Sequence, residues 1–225
     1  MTNVFIISAP SGSGKSTLVN EIRQTVPNLS FSISYTTRSP RGRERDGNEY
    51  SFVSRDQFEQ MIQNDDFLEY ANVFGNYYGT ARRFLTGAED QGNDLLLDID
   101  VQGAAQIKSK LPDAVSIFVL PPNREELERR LRERSQDSES VIQRRLRDAN
   151  REIENYDKYD YILVNDRLAD SVGALKAILL SQRLKRQGRA DAELSATAEK
   201  YRLENVRQRL HPILQSFGKT AAGVK

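Results

Sequence analysis

The chain contains no cysteine, which excludes disulfides, thiolate catalysis and a cysteine-ligated zinc site. It has one histidine, His211, which falls in the C-terminal region and reads as a residue on a solvated helix. It has no excess of one charge: 33 Lys and Arg against 32 Asp and Glu leave a net +1. There is thus no global field to draw it to nucleic acid or an anionic membrane, and neither is expected as a partner. No apolar run approaches membrane-spanning length. The first residues lack a basic segment followed by a long apolar one, so residues 4–7 read as a strand rather than a secretory signal. Absent cysteine suits a reducing compartment, and a cytoplasmic location is expected. What remains is 225 residues with 38% hydrophobic and 29% charged content. That suits one α/β domain with insertions, or a domain and a tail.

The most informative stretch follows the first strand directly: Ala9-Pro10-Ser11-Gly12-Ser13-Gly14-Lys15-Ser16-Thr17. It has the spacing of a phosphate-binding P-loop. Gly12 and Gly14 let successive backbone N–H groups turn toward one anion. The helix that begins at the end of the loop adds its free N–H groups and its positive dipole end. Lys15 supplies a mobile charge for β- and γ-phosphates, and the Ser16 hydroxyl is placed to ligate Mg²⁺. The usual pattern opens on glycine. Here Ala9 stands there, so that position must adopt a backbone conformation open to alanine.

Downstream, apolar spacing predicts a helix over 17–25 and a strand over 29–34. Residues 35–48 are Thr, Ser, Arg, Pro and Gly with little to bury, and read as a functional loop rather than a core element. A short strand is expected at 49–53 and a helix at 56–63. Two strands at 67–74 and 77–80 flank a Gly75-Asn76 turn. Residues 34–81 therefore read as a small strand-rich insertion. Beyond it, helices at 82–91, 101–110, 123–135, 138–155 and 170–185 alternate with strands at 94–100, 114–120 and 159–164. That alternation implies a doubly wound α/β fold with a central parallel sheet. The expected division is a core of 1–33, 82–122 and 156–183, the insertion 34–81, a segment 123–155, and a tail 184–225. The tail reads as one or two exposed helices. Its role stays open between oligomerisation and a mobile appendage.

Other residues form candidate constellations. Asp98 and Asp100 close a buried strand at the edge where doubly wound sheets bind ligands. An acid beside Ser16 is a usual way to hold Mg²⁺, and Asp100 is equally placed to cap the next helix. Arg38 and Arg41 can each grip a phosphate in bidentate fashion. Read alone, they fit a solvated basic loop as well. Tyr50 and Tyr78 can donate hydroxyls to phosphate or simply pack. Glu69 can accept from a paired N–H and NH₂ edge, as guanine presents, or be a surface charge. The Arg-rich helices over 123–155 hold Glu125, Glu126, Glu128 and Glu133 at ion-pairing spacing, so most of their charge reads as solvated surface. One or two of those arginines can serve a transferring phosphoryl group.

With these residues in view, the sequence resembles the guanylate kinase family, particularly its bacterial members. The resemblance rests on the P-loop, on Ser34-Tyr35-Thr36-Thr37-Arg38-Ser39-Pro40-Arg41, on Gly75-Asn76-Tyr77-Tyr78-Gly79 and on the segment 96–103. It extends to about Arg183. It implies a P-loop core, a GMP-binding insertion and a helical lid over 123–155. It also implies that the P-loop residues Ala9 to Thr17 hold ATP. The GMP phosphate would then be held by Arg38, Arg41, Tyr50 and Tyr78. The guanine would be read by Ser34, Glu69, Thr80 and Asp100. Asp98 matches the acid near Mg²⁺, Arg134 and Arg145 match the lid arginines that contact the polyphosphate, and Asn165 lies near the adenine. Arg134 departs from the family's Gly-Arg-Gly context, and the tail is longer than the family needs.

The implied reaction is ATP + GMP giving ADP and GDP, with dGMP an expected second acceptor. The acceptor oxygen is already ionised at neutral pH, so positioning and charge stabilisation are needed rather than a general base. Lys15, Arg38, Arg134 and Arg145 carry that role in the resemblance. Two other readings stay beside it: a catalytically inactive guanylate-kinase-like binding module, and a P-loop kinase for another phosphorylated acceptor.

Overall fold

The computed structural model describes residues 2–42, 44–73, 75–134 and 138–218, with Arg134 described by its backbone alone. In chain order the elements are β1 (Val4–Ser8), α1 (Lys15–Thr25), β2 (Leu29–Ser32), β3 (Tyr35–Thr36), β4 (Ser51–Phe52) and α2 (Arg55–Gln63). Then come β5 (Phe67–Val73), β6 (Asn76–Ala81), α3 (Arg83–Asp90), β7 (Asp94–Asp98), α4 (Val101–Lys110) and β8 (Val115–Leu120). The remainder is α5 (Arg124–Arg134), α6 (Glu139–Ile153), β9 (Tyr161–Val164), α7 (Leu168–Arg186), α8 (Ala192–Glu199) and α9 (Leu203–Ser216). The fold is mixed α/β with parallel strands at its centre. Among the described residues no helix is long and apolar enough to cross a membrane.

The chain forms two compact units: Met1–Ile6 with Pro27–Val115, and Ile7–Val26 with Ser116–Lys225. In the first, β2 pairs in parallel with β7, Leu29 opposite Asp94 through Ser32 opposite Leu97. The Leu95-Leu96-Leu97 run is fully buried, as a strand covered on both faces requires. Asn3 pins the start of β1: its backbone N and Nδ2 both donate to Asp94 Oδ1, at 3.0 and 2.8 Å. Asp100 starts α4 by accepting from Gly103 N at 2.8 Å. Because β7 ends at Asp98, strand alternation does not carry to Asp100, whose direction is set by this cap.

The same unit holds a second sheet, in the order β4-β3-β6-β5. The β5–β6 hairpin turns at Gly75, whose φ of 86° suits glycine; Phe74, expected to end the strand, lies outside the described residues. Phe58 of α2 stacks on Phe67 and on Tyr77, with ring centroids 4.4 and 5.1 Å apart. A side chain at Gly79 would collide with the Phe67 and Phe58 rings. Helix α2 opens on a Ser54–Gln57 capping box. The structure corrects the reading of 35–48 as a functional loop with little to bury. Tyr35 and Thr36 form β3, and Thr36 and Arg38 are buried. Their polar groups are satisfied locally: Thr36 Oγ1 donates to Tyr77 O at 3.0 Å and accepts from Arg38 N.

In the second unit β8 and β9 run in parallel, Ile117 opposite Tyr161 through Leu120 opposite Val164. Helix α7 packs on α1 and on α8, and α9 packs on β9 and α5. Here too an expectation fails. The C-terminal helices are not an exposed tail: Ala198, Val206, Leu210, Leu214 and Phe217 are all buried. His211, by contrast, is exposed as expected.

Candidate functional site

In the second unit the chain leaves β1 and turns through 9–14 into α1. Ser13 N donates to Pro10 O at 3.1 Å, closing the loop. Positive φ falls on Gly12 (92°) and Gly14 (86°) and not on Ala9, so alanine at the first loop position carries no strain. Both glycines are also needed for space. A Cβ on Gly12 would lie 2.9 Å from Leu127 and 3.0 Å from Leu131 of α5, and one on Gly14 would run into the Asn165 amide. Gly14 sits at the N-cap of α1 without a side-chain cap, and Lys15 is the first helical residue. A cavity of about 270 Å³ lies here, lined by Gly12, Gly14, Ser16, Thr17 and Arg130. Asn165, at the end of β9, is buried and donates to Ser13 O at 2.8 Å. It therefore fixes the loop itself. A larger cavity of about 610 Å³ lies among β9, α7 and α9, and no sequence-expected site residue lines it.

The residues expected to meet the acceptor lie in the first unit, on or beside the second sheet and at the start of α4. Arg38 is buried, and its guanidinium is held on several sides. Nε donates to Tyr78 Oη at 3.2 Å, Nη1 to Ser39 O at 2.7 Å, and Nη1 and Nη2 to the two Glu44 carboxylate oxygens at 2.9 and 3.0 Å. Its Cζ stands 5.3 Å over the Tyr50 ring, and Tyr50 packs edge-on against Tyr78 at 5.9 Å. Glu44 also accepts from Arg41 N at 2.7 Å. The Arg38 fork, and then this backbone bond, hold the Glu44 carboxyl below its ordinary range despite partial burial. Arg41 itself is exposed. Ser34 is half-buried, and its carbonyl accepts from Ser51 N at 2.9 Å.

Glu69 and Thr80 face each other across the β5–β6 pair. Both are buried, and Thr80 Oγ1 donates to Glu69 Oε1 at 2.6 Å. Gly103 closes the other side. A Cβ there would lie 2.6 Å from Glu69 Oε2 and 3.4 Å from Asp100 Oδ1. Only glycine lets the two carboxyl groups share this corner without a shift. Burial pushes Glu69 up to about 7; the Thr80 hydrogen bond opposes this and the Asp100 charge adds to it.

Asp98 is half-buried at the C-terminal end of β7. Arg145 is half-buried on α6. The side chain of Arg134 lies outside the described residues. Arg129 and Arg132 of α5 behave as solvated charge. Arg129 pairs with Glu126 and Glu133, and Arg132 with Glu128 and Glu139, on exposed surface. Three contributors were not foreseen. Arg130 pairs with Glu126 at 2.7 Å and donates to Ser13 O at 3.5 Å and Asn165 O at 3.0 Å. Its i,i+4 spacing from Glu126 was visible, but not the loop it meets. Glu44 pairs with Arg38 six residues away, a spacing that carries no local signal; its three-residue spacing from Arg41 marks only the turn in which it accepts from the Arg41 backbone N. Gly103 gave no local signal, because its neighbour Glu69 is distant in sequence.

Strand, glycine loop and helix in this order, in a mixed α/β fold with parallel strands, define a P-loop nucleotide-binding protein. Residues 1–182 match the family model described as guanylate kinase. The guanylate kinase of Koribacter versatilis is 56% identical over 221 residues, spanning 95% of each chain. That of Nitrosospira multiformis is 50% identical over 182 residues, 81% of this chain and 87% of the relative. Among solved structures, the guanylate kinase from Anaplasma phagocytophilum matches with a TM-score of 0.68 at 34% identity, over 81% of this chain and 87% of that one. The chain belongs to the guanylate kinase family.

Proposed function

We propose that the chain transfers the γ-phosphoryl group of ATP to GMP, giving ADP and GDP. The observation that carries this is the arrangement along β6. Thr80 sits with buried Glu69 at one position, and Tyr78 sits with Arg38 two residues away on the same strand face. Two residues of strand span about 7 Å. One end presents an acceptor-rich corner in which Glu69 can take both the ring N–H and the amino group of guanine. The other holds a guanidinium and a phenol suited to a phosphate, which would take the fork over from the Glu44 carboxylate. In this reading Ser34 and Asp100 complete the guanine edge, and Arg41 and Tyr50 the phosphate end. The acceptor contacts assigned here go to base and phosphate, so dGMP is proposed as a second acceptor.

The donor ATP is assigned to the P-loop, residues Ala9 to Thr17. Backbone N–H groups and the α1 dipole would bind its phosphates and Lys15 would bridge the β- and γ-groups, with Asn165 toward the adenine. Mg²⁺ at such sites draws few ligands from protein and most from phosphate and water. The Ser16 hydroxyl on the cavity wall and the Asp98 carboxylate at a strand end are oxygen donors of that kind. When bound, the ion would supply charge neutralisation to the phosphates. Arg134 and Arg145 are assigned to the polyphosphate. The acceptor is an ionised phosphate oxygen, so no residue need take a proton. The side chains hold the two phosphates in line and balance charge. A cytoplasmic setting, where both nucleotides are supplied, is part of the same proposal.

The test is product analysis with ATP, GMP and Mg²⁺, with and without EDTA. Stoichiometric ADP and GDP that vanish with the chelator are expected. GMP binding without turnover would favour a binding module instead.

A further inference from the structure

The C-terminal helices lie at the back of the donor loop's supports. Helix α9 carries Val206, Leu210 and Leu214 along one face, all buried, and Phe217 just after it is 2% exposed. At its end, Ser216 Oγ accepts from Arg124 N at 3.1 Å and donates to Ile213 O at 2.6 Å. Arg124 is the first residue of α5, whose opening N–H groups have no partner inside the helix. Asn123 Oδ1 satisfies one of these, on Glu126 at 2.7 Å, and Ser216 satisfies another from 92 residues away. Phe217 O accepts from Asn150 Nδ2 of α6 at 3.4 Å.

The segment between α8 and α9 is fastened to β9. Ile162 N donates to Tyr201 O at 2.9 Å, Leu203 N donates to Asp160 O at 3.1 Å, and the Arg202 guanidinium stands 4.5 Å over the Tyr161 ring. The C-terminal region thus holds two elements, α5 and β9. These are the elements on which the P-loop leans. Helix α5 sets Leu127 and Leu131 against Gly12 and Arg130 against Ser13 O, and the end of β9 sets Asn165 against Ser13 O.

From this we infer that residues 191–218 are a positioning brace for the P-loop, so that affinity for the phosphoryl donor depends on the contacts of Ser216 and Phe217 with α5 and α6. The inference rests on the reading of the P-loop as the ATP site. Neither Ser216 nor Phe217 belongs to that site; they act through α5, Leu127, Leu131 and Arg130. Loss of the Ser216 acceptor frees the first turn of α5, and loss of the buried Phe217 ring leaves a cavity next to Ser216 at the end of α9. The first change loosens the wall that α5 sets against Gly12 and Ser13, the second the seat from which Ser216 reaches α5, while the residues assigned to the acceptor are untouched.

The test uses Ser216→Ala, Ser216→Thr and Phe217→Ala in the full chain, each checked for folding by circular dichroism and assayed for KM with ATP and GMP. Ser216→Ala removes one hydroxyl and leaves no large cavity, so it keeps the test valid if Phe217→Ala unfolds. The expected result is a rise of at least threefold in KM for ATP in Ser216→Ala, with KM for GMP unchanged within 1.5-fold, and an ATP constant restored in Ser216→Thr. Phe217→Ala, where folded, should shift the ATP value further. Equal changes in both constants, or none, would overturn the inference and reduce the helices to general stabilisation. Lys15→Ala separates the two layers. If ATP binding survives that change, the reading of the donor site fails; if ATP binding is lost there but untouched in Ser216→Ala, only the brace fails.

Discussion

Glu69 makes the proposed guanine site sensitive to pH in a range where ordinary glutamates are silent. Burial raises this carboxyl from 4.5 to about 7. The gap corresponds to about 3 kcal/mol against the ionised form. A folded-state value above the unfolded one means that the contribution to stability is present below 4.5 and is lost as pH rises through about 7. Guanine reverses the preference. Its ring N–H and amino group both donate, so the binding form of Glu69 is the ionised acceptor. With a midpoint near 7, roughly a quarter of free molecules are competent at pH 6.5 and about nine-tenths at pH 8. The KM for GMP should therefore fall about fourfold across that interval. The substrate's own phosphate, with a second pKa of about 6, accounts for only about 1.3-fold. The assay is a coupled measurement of ADP formation at saturating Mg-ATP, with GMP varied at each pH. The KM for ATP should move less than twofold, and Glu69→Gln should flatten the GMP slope to the phosphate contribution. A GMP constant that stays flat, or a slope that survives in Glu69→Gln, would refute both the burial argument and the guanine assignment.

Other outcomes follow from single contacts. Lys15→Ala should abolish turnover while circular dichroism and thermal midpoint stay near wild type; a near-normal rate would contradict the assigned mechanism. Gly103→Ala places a Cβ 2.6 Å from Glu69 Oε2. Displacing that carboxylate should raise the KM for GMP tenfold or more, with the ATP constant unmoved, because a buried polar pairing is worth about 1–3 kcal/mol. Unchanged GMP kinetics would mean that Glu69 does not read the base. Arg38→Lys keeps the charge but loses the fork that grips Glu44 and faces the proposed phosphate. A lower thermal midpoint and at least a tenfold higher KM for GMP are expected, and no change in either would show that a point charge suffices.

The parts legible in sequence were those written in local chemistry. Helix α4 starts and stops where Asp100 and Pro112 imply, and the β5–β6 hairpin turns at Gly75. The loop glycines fall where positive φ is needed. The unread parts depended on distant partners. Thr36 and Arg38 look solvated in sequence, and they are buried because Tyr77 and Tyr78 of β6 and the Glu44 carboxylate satisfy their polar groups. The C-terminal region reads as exposed because its composition is Ala, Arg, Gln, Glu and Leu, with charged and amide side chains among the apolar ones. Yet Val206, Leu210 and Leu214 recur every four residues, a helical stripe that signals a buried face. Gly103 and Arg130 could not be assigned from neighbours in sequence, since what they meet lies on other elements.

The corner of Glu69, Thr80 and Asp100 is proposed to select guanine. The most direct test of this selection is the ratio of kcat/KM for GMP and AMP in the unaltered protein. AMP would present an acceptor ring nitrogen where Glu69 needs a donor, leaving buried polar groups unpaired. Sites built on such pairing reject the wrong partner by about 10⁴. A preference for GMP of at least 10³ is predicted, and comparable use of AMP and GMP would contradict the account.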